Sequence, residues 1–230
     1  LVPISLTNRG GRLLKLIKNG IYLFDSEEDM TIIQEFIINN LKQDGKKVPE
    51  IYRDKFGADS DLEAEFLEGL IEYSHTSLFE IVDIDRENFT IHLVDLLDEN
   101  EPYSYIDLNL SQSTIIGTLI FLRIVELSEF NVSTGCGFPF PPAFKKHYRK
   151  EAKKIQRSIK TKNKEARRFI TFYGEERCGL TSLEPSLRTS LLREMCCVFL
   201  LCVWRFARRR RCPRAWAKRF ATPCCTKMLA

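Results

Sequence analysis

The spacing of apolar residues is helical over roughly the first third of the chain. Four of them recur three or four positions apart, as on one face of a helix: Met30, Ile33, Ile37 and Leu41. Ser26 is a suitable N-cap and Gly45 a suitable end, so we predict an amphipathic helix between them. Ser60 with Glu63 forms the capping box of a further helix. We therefore assign a helical region to residues 1–75.

From residue 76 the pattern changes to short runs rich in β-branched and aromatic residues, separated by turn clusters. These runs predict strands at 78–84, 89–97, 103–110, 119–127 and 131–140. Short strands with tight connections favour an antiparallel meander, and closure into a small barrel would hide the edges of such a sheet. Gly117, Gly135 and Gly137 lie where a bend or bulge would help closure. Residues 76–140 are thus predicted to form a five-stranded antiparallel barrel or meander.

Consecutive prolines end the strand pattern, and a helical period returns after them. Its apolar positions form a single stripe on a segment dense in Lys and Arg: Phe144, Tyr148, Ala152, Ile155 and Ile159. We predict a basic amphipathic helix within residues 141–168 and a disordered tail over 169–230. The predicted fold class is α+β, with N-terminal helices, the small β domain, the basic helix and the tail.

Charge is segregated along the chain, although its formal net charge is only +4. Residues 1–144 carry 11 Lys and Arg against 25 Asp and Glu, a net charge of −14. Residues 145–168 carry 12 against 2, a net charge of +10, and residues 169–230 carry 12 against 4, a net charge of +8. This asymmetry indicates an acidic folded body followed by basic segments whose role is electrostatic.

The end of the chain differs from the body in composition. The body is rich in Ile, Lys, Asn, Asp and Glu, whereas residues 178–230 are rich in Arg, Cys, Leu, Ala and Pro and hold both tryptophans, Trp204 and Trp216. Lys, Ile and Asn use A/T-rich codons, whereas Arg, Ala and Pro use G/C-rich codons. We hypothesise that this tail is an out-of-frame or fused reading, and an intact frame of uniform base composition would contradict that.

Ten cations of the predicted basic helix are candidate nucleic-acid contacts: Lys145, Lys146, Arg149, Lys150, Lys153, Lys154, Arg157, Lys160, Arg167 and Arg168. Such a set neutralises phosphates in a salt-dependent, sequence-independent manner. Only His147 and Tyr148 offer rings for base stacking there. The alternatives are a solvated helix face and a helix that docks on a partner or a membrane surface.

Cysteine usage bears on compartment and on metal binding. Only Cys136 lies within the first 177 residues, which fits a reducing compartment, and we predict the cytoplasm. In the tail, Cys212, Cys224 and Cys225 are weak candidates for a zinc site, because three thiolates need a further ligand. No other cofactor is indicated.

Catalytic groups are poorly supported. Four carboxylates flank the first predicted hairpin: Asp83, Asp85, Asp95 and Asp98. Acidic turn residues are the preferred explanation for them, and a divalent-ion site is the minor alternative. His92 lies between Ile91 and Leu93 in a predicted strand, where a surface or packing role is expected. The sequence does not identify a nucleophile together with the general base and orienting group that it would need.

The β segment resembles a module of uncharacterised bacterial proteins that often carry a C-terminal SEC-C zinc motif. The resemblance rests on SLFEIV at 77–82, VDLLD at 94–98, GTLIFLRIV at 117–125 and STG at 133–135. It implies a small β domain of unassigned activity over about 77–140 and supplies no catalytic residue. The zinc motif would correspond to Cys212 and to Cys224 with Cys225, with Arg214 in place of its second cysteine.

Three classes of function follow, in order of preference. The first is a non-enzymatic binding or scaffold protein that acts on an unknown protein partner or on a second copy of itself. The second is a nucleic-acid-binding protein that uses the helix at 145–168, and the third is a metal-dependent hydrolase that uses the acidic hairpin. No stretch reaches the roughly 20 apolar residues of a membrane span, since the longest, 195–204, is followed by arginines.

Overall fold

The computed structural model describes residues 2–24, 28–98 and 102–179. The helices are α1 (Ile4–Leu13), α2 (Glu28–Asn40), α3 (Val48–Phe56), α4 (Asp61–Glu72), α5 (Leu110–Ser113), α6 (Lys145–Ser158) and α7 (Lys164–Gly179). The strands are β1 (Ile17–Lys18), β2 (Ile21–Tyr22), β3 (Lys42–Gln43), β4 (Lys46–Lys47), β5 (Ser74–Asp85), β6 (Thr90–Asp95), β7 (Tyr103–Ile106), β8 (Leu119–Glu126) and β9 (Asn131–Phe140). None of the helices in this part of the chain combines the length and apolar character that crossing a bilayer requires.

Two small hairpins punctuate the N-terminal helices. Asn19 and Gly20 turn β1 into β2, and Asp44 and Gly45 turn β3 into β4, all four with positive φ. Positive φ at both central residues is the mark of a type I′ turn, which Asn-Gly and Asp-Gly favour. The predicted helix therefore ends at Asn40 rather than near Gly45, because Gly45 belongs to a turn. Its predicted cap, Ser26, lies outside the described residues.

The five long strands form a closed ring in the order β5, β6, β7, β9, β8. The predicted α+β class with a small five-stranded β domain is confirmed, but the ring is mixed rather than wholly antiparallel. β7 and β9 run parallel and meet at a single pair, Ile106 with Val132. A ring with an odd number of strands cannot alternate direction throughout, so one pair must be parallel. The ring is therefore joined most weakly at the seam between β7 and β9.

Two apolar cores lie on opposite faces of the ring. Phe79, Ile91 and Leu122 are among the residues that fill its interior. On the outer face, Phe121 and Phe138 pack with residues of α2 and α7, including the stacked pair Phe121 and Phe172 at 4.7 Å between ring centroids. The helices thus cover the outer face of β5, β8 and β9. The basic helices α6 and α7 pack on this face, since Tyr148, Phe169 and Phe172 belong to the same core.

The predicted basic helix at 145–168 is two helices. α6 ends at Ser158, and Asn163 begins α7 by accepting a hydrogen bond from the Ala166 N–H at 3.2 Å. Asparagine is favoured at a helix N-cap and disfavoured inside a helix, which explains the break. α7 then runs past residue 169, where we expected the tail to begin, and buries Phe169 in the core. Residues 180–230 lie outside the described residues.

Candidate functional site

Helix α6 presents a row of cations opposite its buried face. Lys146, Lys150 and Arg157 are exposed, and their spacing places them within one narrow stripe about 16 Å long. Tyr148 lies on the opposite side, 6% exposed, with its ring 4.9 Å from Phe140. α6 is thus docked by its apolar side and turns its charge outward.

The cations of this row make no ion pair among the described residues. An ion pair at the start of the helix belongs to Lys145 instead, whose Nζ lies 2.5 Å from Glu80 Oε2. Lys146, Lys150 and Arg157, with Lys160 in the link to α7, are left facing solvent. We call Lys146, Lys150 and Arg157 the cationic row.

The other predicted cations divide between surface and core. Arg149, Lys153 and Lys154 lie on α6. Arg167 is half-buried on α7. Arg168 is only 2% exposed, so its inclusion among the phosphate contacts is wrong. The zinc candidates Cys212, Cys224 and Cys225 lie outside the described residues, and Cys136 is buried in β9.

A second cluster lies at one end of the ring, where β5 begins and β6 ends. His75 Nε2 is 2.7 Å from Asp95 Oδ2, and its ring stacks on that of Tyr103 with centroids 5.7 Å apart. Asp95 Oδ1 accepts hydrogen bonds from the Ser77 hydroxyl at 2.7 Å and from two backbone N–H groups, those of Leu97 and Asp98. Burial raises the pKa of Asp95, but these hydrogen bonds outweigh it and lower that pKa to about 2.

The carboxylate of Asp98 ties this cluster to helix α7. It receives the Arg168 guanidinium and, at 3.0 Å, the Lys164 ammonium. Burial raises its pKa, and the two cations more than reverse that effect. Arg168 also donates to the Thr76 carbonyl at 2.9 Å. The cluster therefore anchors α7 to the first residues of β5.

This arrangement opposes both a cation site and nucleophilic catalysis. His75, Asp95 and Asp98 bring three ligand atoms within 4.8 Å of one another, as a metal would require. However, Asp98 is already neutralised by two cations that would repel a divalent ion. Ser77 donates its hydroxyl hydrogen to Asp95 rather than to His75, and the lowered pKa of Asp95, about 2, makes this carboxylate a poor general base.

The other predicted carboxylates do not join this cluster. In the β5–β6 register Asp95 pairs with Phe79, whereas Asp83 pairs with His92 and Asp85 with Thr90. The two ends of the hairpin are therefore more than about 10 Å apart. Asp85 accepts from the backbone N–H groups of the turn that follows it, at 3.0 and 3.1 Å. The acidic hairpin is thus a turn-forming feature at one end and an anchor at the other.

A buried ion pair joins helix α2 to the ring. Arg123 Nε donates to Glu35 Oε1 at 3.1 Å, and the two side chains are 2% and 1% exposed. The remaining Arg123 nitrogens donate to Ser74 Oγ and Asn40 Oδ1 at 3.2 and 3.1 Å. Burial raises the pKa of Glu35, and Arg123 opposes that rise. Neither residue was recognised as buried from the sequence, because each lies in an element whose partner is far away along the chain.

Two clefts flank the turn between β8 and β9. One, of about 390 Å³, is lined by residues of α4 and of the turn: Glu65, Glu68, Tyr73, Glu126, Leu127 and Ser128. The other, of about 480 Å³, shares Leu127 and Ser128 and reaches Phe130 and the seam strand β7. We call the first cleft the glutamate groove. Its carboxylates come from α4 and from the end of β8, so only the packing of α4 beside the turn brings them together.

Comparison with known proteins places the chain in a family without assigning an activity. No curated protein and no solved structure is significantly similar to it. A family model of unknown function matches residues 5–178, a range that covers the N-terminal helices, the ring, α6 and nearly all of α7. This confirms the expectation of an uncharacterised family, whereas the link to a SEC-C motif stays a prediction. The chain belongs, over these residues, to DUF7986, a family of unknown function.

Proposed function

We propose that this protein is a non-enzymatic binding module whose cationic row takes the phosphate backbone of a nucleic acid. The observation that carries the proposal is the row itself: Lys146, Lys150 and Arg157 are exposed, aligned and without a carboxylate partner among the described residues. An aligned row of free cations on a fixed helix neutralises successive phosphates and releases their counterions.

The way α6 is docked supports a polyanion over a membrane surface. An interfacial helix inserts its apolar face into the lipid. Here that side of the helix faces the protein, since Tyr148 is buried between Phe140 and Phe172. Its burial also removes Tyr148 from base stacking, so contacts to phosphate without base readout are expected.

The carboxylate and histidine clusters support the absence of catalysis in this proposal. Asp95 is occupied by four hydrogen-bond donors, and Asp98 is paired with Lys164 and Arg168. Both carboxylates therefore serve to hold elements together, which leaves them little freedom to exchange protons with a substrate.

A titration of the full chain with duplex DNA and with single-stranded RNA, at several salt concentrations, tests the proposal. Reversing the row with Lys146→Glu, Lys150→Glu and Arg157→Glu should abolish most of the binding. It should also lower the slope of log K against log salt by about 2–3 for duplex DNA, from roughly 0.9 per neutralised phosphate.

The matched control reverses one arginine and two lysines on the N-terminal elements, Arg12, Lys18 and Lys42, which are also exposed. This control changes net charge by the same amount and should bind like the parent. If the two triple variants bind alike, or if the parent binds neither nucleic acid, the row is not a phosphate site.

A further inference from the structure

We propose that the glutamate groove is a docking site for the cationic row of a second copy of this chain. This inference goes beyond nucleic-acid binding and does not depend on it, although both use the same row. It rests on two surfaces of opposite charge that a single chain carries and does not bring together.

The groove offers carboxylates around an apolar floor. Glu126 in the groove is exposed and makes no ion pair among the described residues, and the same holds for Glu129, which follows Ser128 in the turn and lines the adjoining cleft. Glu68 in the groove pairs with Arg53 at 2.9 Å. Tyr73 is 59% exposed and lines the groove beside Leu127. Lys and Arg side chains match such a surface, because their aliphatic stems cover apolar area while their charged ends reach the rim.

The groove is a defined shape rather than a scatter of acidic residues. Glu65 Oε1 accepts the Ser128 backbone N–H at 2.5 Å, which ties α4 to the turn between β8 and β9. Gly69 lets the helix approach closely, because a Cβ there would lie 2.7 Å from Val125 Cγ1. Both walls of the groove are thus held by packing before any partner arrives.

The cationic row cannot bind the glutamate groove of the same molecule, because α6 is fixed on another part of the ring. Tyr148 is buried under the helix, and Lys145 pairs with Glu80 at its first turn. No ion pair joins the cationic row to the groove among the described residues. A second molecule is therefore the occupant whose charge and shape this chain itself supplies.

Such an interface would be weak and sensitive to salt. Exposed ion pairs contribute little one by one and are screened within about 10 Å at 0.1 M salt. We expect self-association of nucleic-acid-free protein at about 50 mM salt and its loss near 500 mM. A polyanion should compete for the row and dissociate the assembly.

Sedimentation velocity of the full chain, freed of nucleic acid, tests the interface by charge exchange. One variant reverses the row (Lys146→Glu, Lys150→Glu, Arg157→Glu). A second reverses two carboxylates of the groove and one of the turn beside it (Glu68→Lys, Glu126→Lys, Glu129→Lys). Each alone should sediment as a monomer at low salt. An equimolar mixture should associate again, because each reversed surface then meets its opposite on the other molecule.

Three results would overturn the inference: a parent that is monomeric at low salt, a row variant that still associates, or a mixture that stays monomeric. Association that survives row reversal would mean that a surface other than the cationic row joins the two copies. Thermal melting of both variants, expected within a few degrees of the parent, excludes misfolding as the cause. A row variant that loses nucleic-acid binding while the parent is monomeric would leave the proposed function standing and remove this inference alone.

Discussion

Replacing Arg123 by methionine tests whether the buried ion pair holds helix α2 on the ring. The change removes the positive charge beside Glu35, which is 1% exposed and is left without a counter-charge. Breaking one member of a buried pair costs roughly 3–5 kcal/mol. Methionine keeps an unbranched chain of similar length, so little of the loss comes from a cavity. The expected loss is a large share of the roughly 5–15 kcal/mol by which domains are stable.

The loss should grow with pH. Burial already raises the pKa of Glu35 in the folded protein, and removing Arg123, which lowers it, raises it further. The folded state then holds the proton more tightly than the unfolded state. Stability falls as pH rises from the ordinary carboxyl pKa to the raised one, by at most about 1.4 kcal/mol per pH unit. The variant should be closest to the parent at low pH.

Urea unfolding followed by far-ultraviolet circular dichroism measures both effects across pH. The double variant Glu35→Gln with Arg123→Met should be more stable than Arg123→Met alone, and its stability should lack the fall with rising pH that Glu35 causes in the single variant. Arg53→Met is the exposed control, with a side chain 43% exposed and an expected loss below about 1 kcal/mol. A loss below about 1 kcal/mol for Arg123→Met, or a double variant less stable than it, would refute this reasoning.

Three further predictions concern other contacts of the fold. Arg168→Met should lower the free energy of unfolding by about 3 kcal/mol, because the Arg168 side chain is 2% exposed, whereas Lys164→Met, at a side chain 57% exposed, should lower it by less than about 1 kcal/mol. Equal losses for the two variants in urea unfolding would contradict the anchoring role of Arg168. The pKa of Asp95, lowered from 3.8 to about 2, contributes about 2 kcal/mol of stability that is present above pH 4 and lost as pH falls toward 2, so Asp95→Asn should flatten acid unfolding in that window. Gly69→Ala should lower the free energy of unfolding by about 1–3 kcal/mol, because the new Cβ would lie 2.7 Å from a β8 side chain, whereas Gly174→Ala, where a Cβ would meet nothing within 4 Å, should raise it by about 0.5–1 kcal/mol. Melting temperatures that shift in the same direction in both variants would contradict this packing.

Elements with a clear local pattern were predicted well from the sequence. All five long strands overlap the runs of β-branched and aromatic residues, and Ser60 caps α4 by accepting the Glu63 N–H at 3.2 Å. The predicted strand at 103–110 ended too late, because Asp107 accepts the N–H groups that open α5. The Asn-Gly and Asp-Gly pairs of the small hairpins were readable turn signals that the helical pattern obscured.

The candidate site divides in the same way. Alignment of Lys146, Lys150 and Arg157 follows from helical spacing alone, so the row was visible in the sequence. The burial of Arg168 was not visible in the sequence, because its partner Asp98 lies 70 positions away along the chain. An arginine in a basic run is ordinarily solvated, and its burial requires an acceptor from another element that offsets the loss of hydration.

The sequence by itself determined the helical and strand periods, the caps and the separation of acidic body from basic helix, since each depends on neighbours within a few residues. The tertiary structure alone decided the parallel seam, the burial of Glu35 with Arg123, and the groove beside the turn between β8 and β9. The physical reason is that burying a charge, or placing carboxylates around a cleft, depends on contacts between elements far apart in the chain. Local pattern fixes which face an element presents, and packing decides what that face meets.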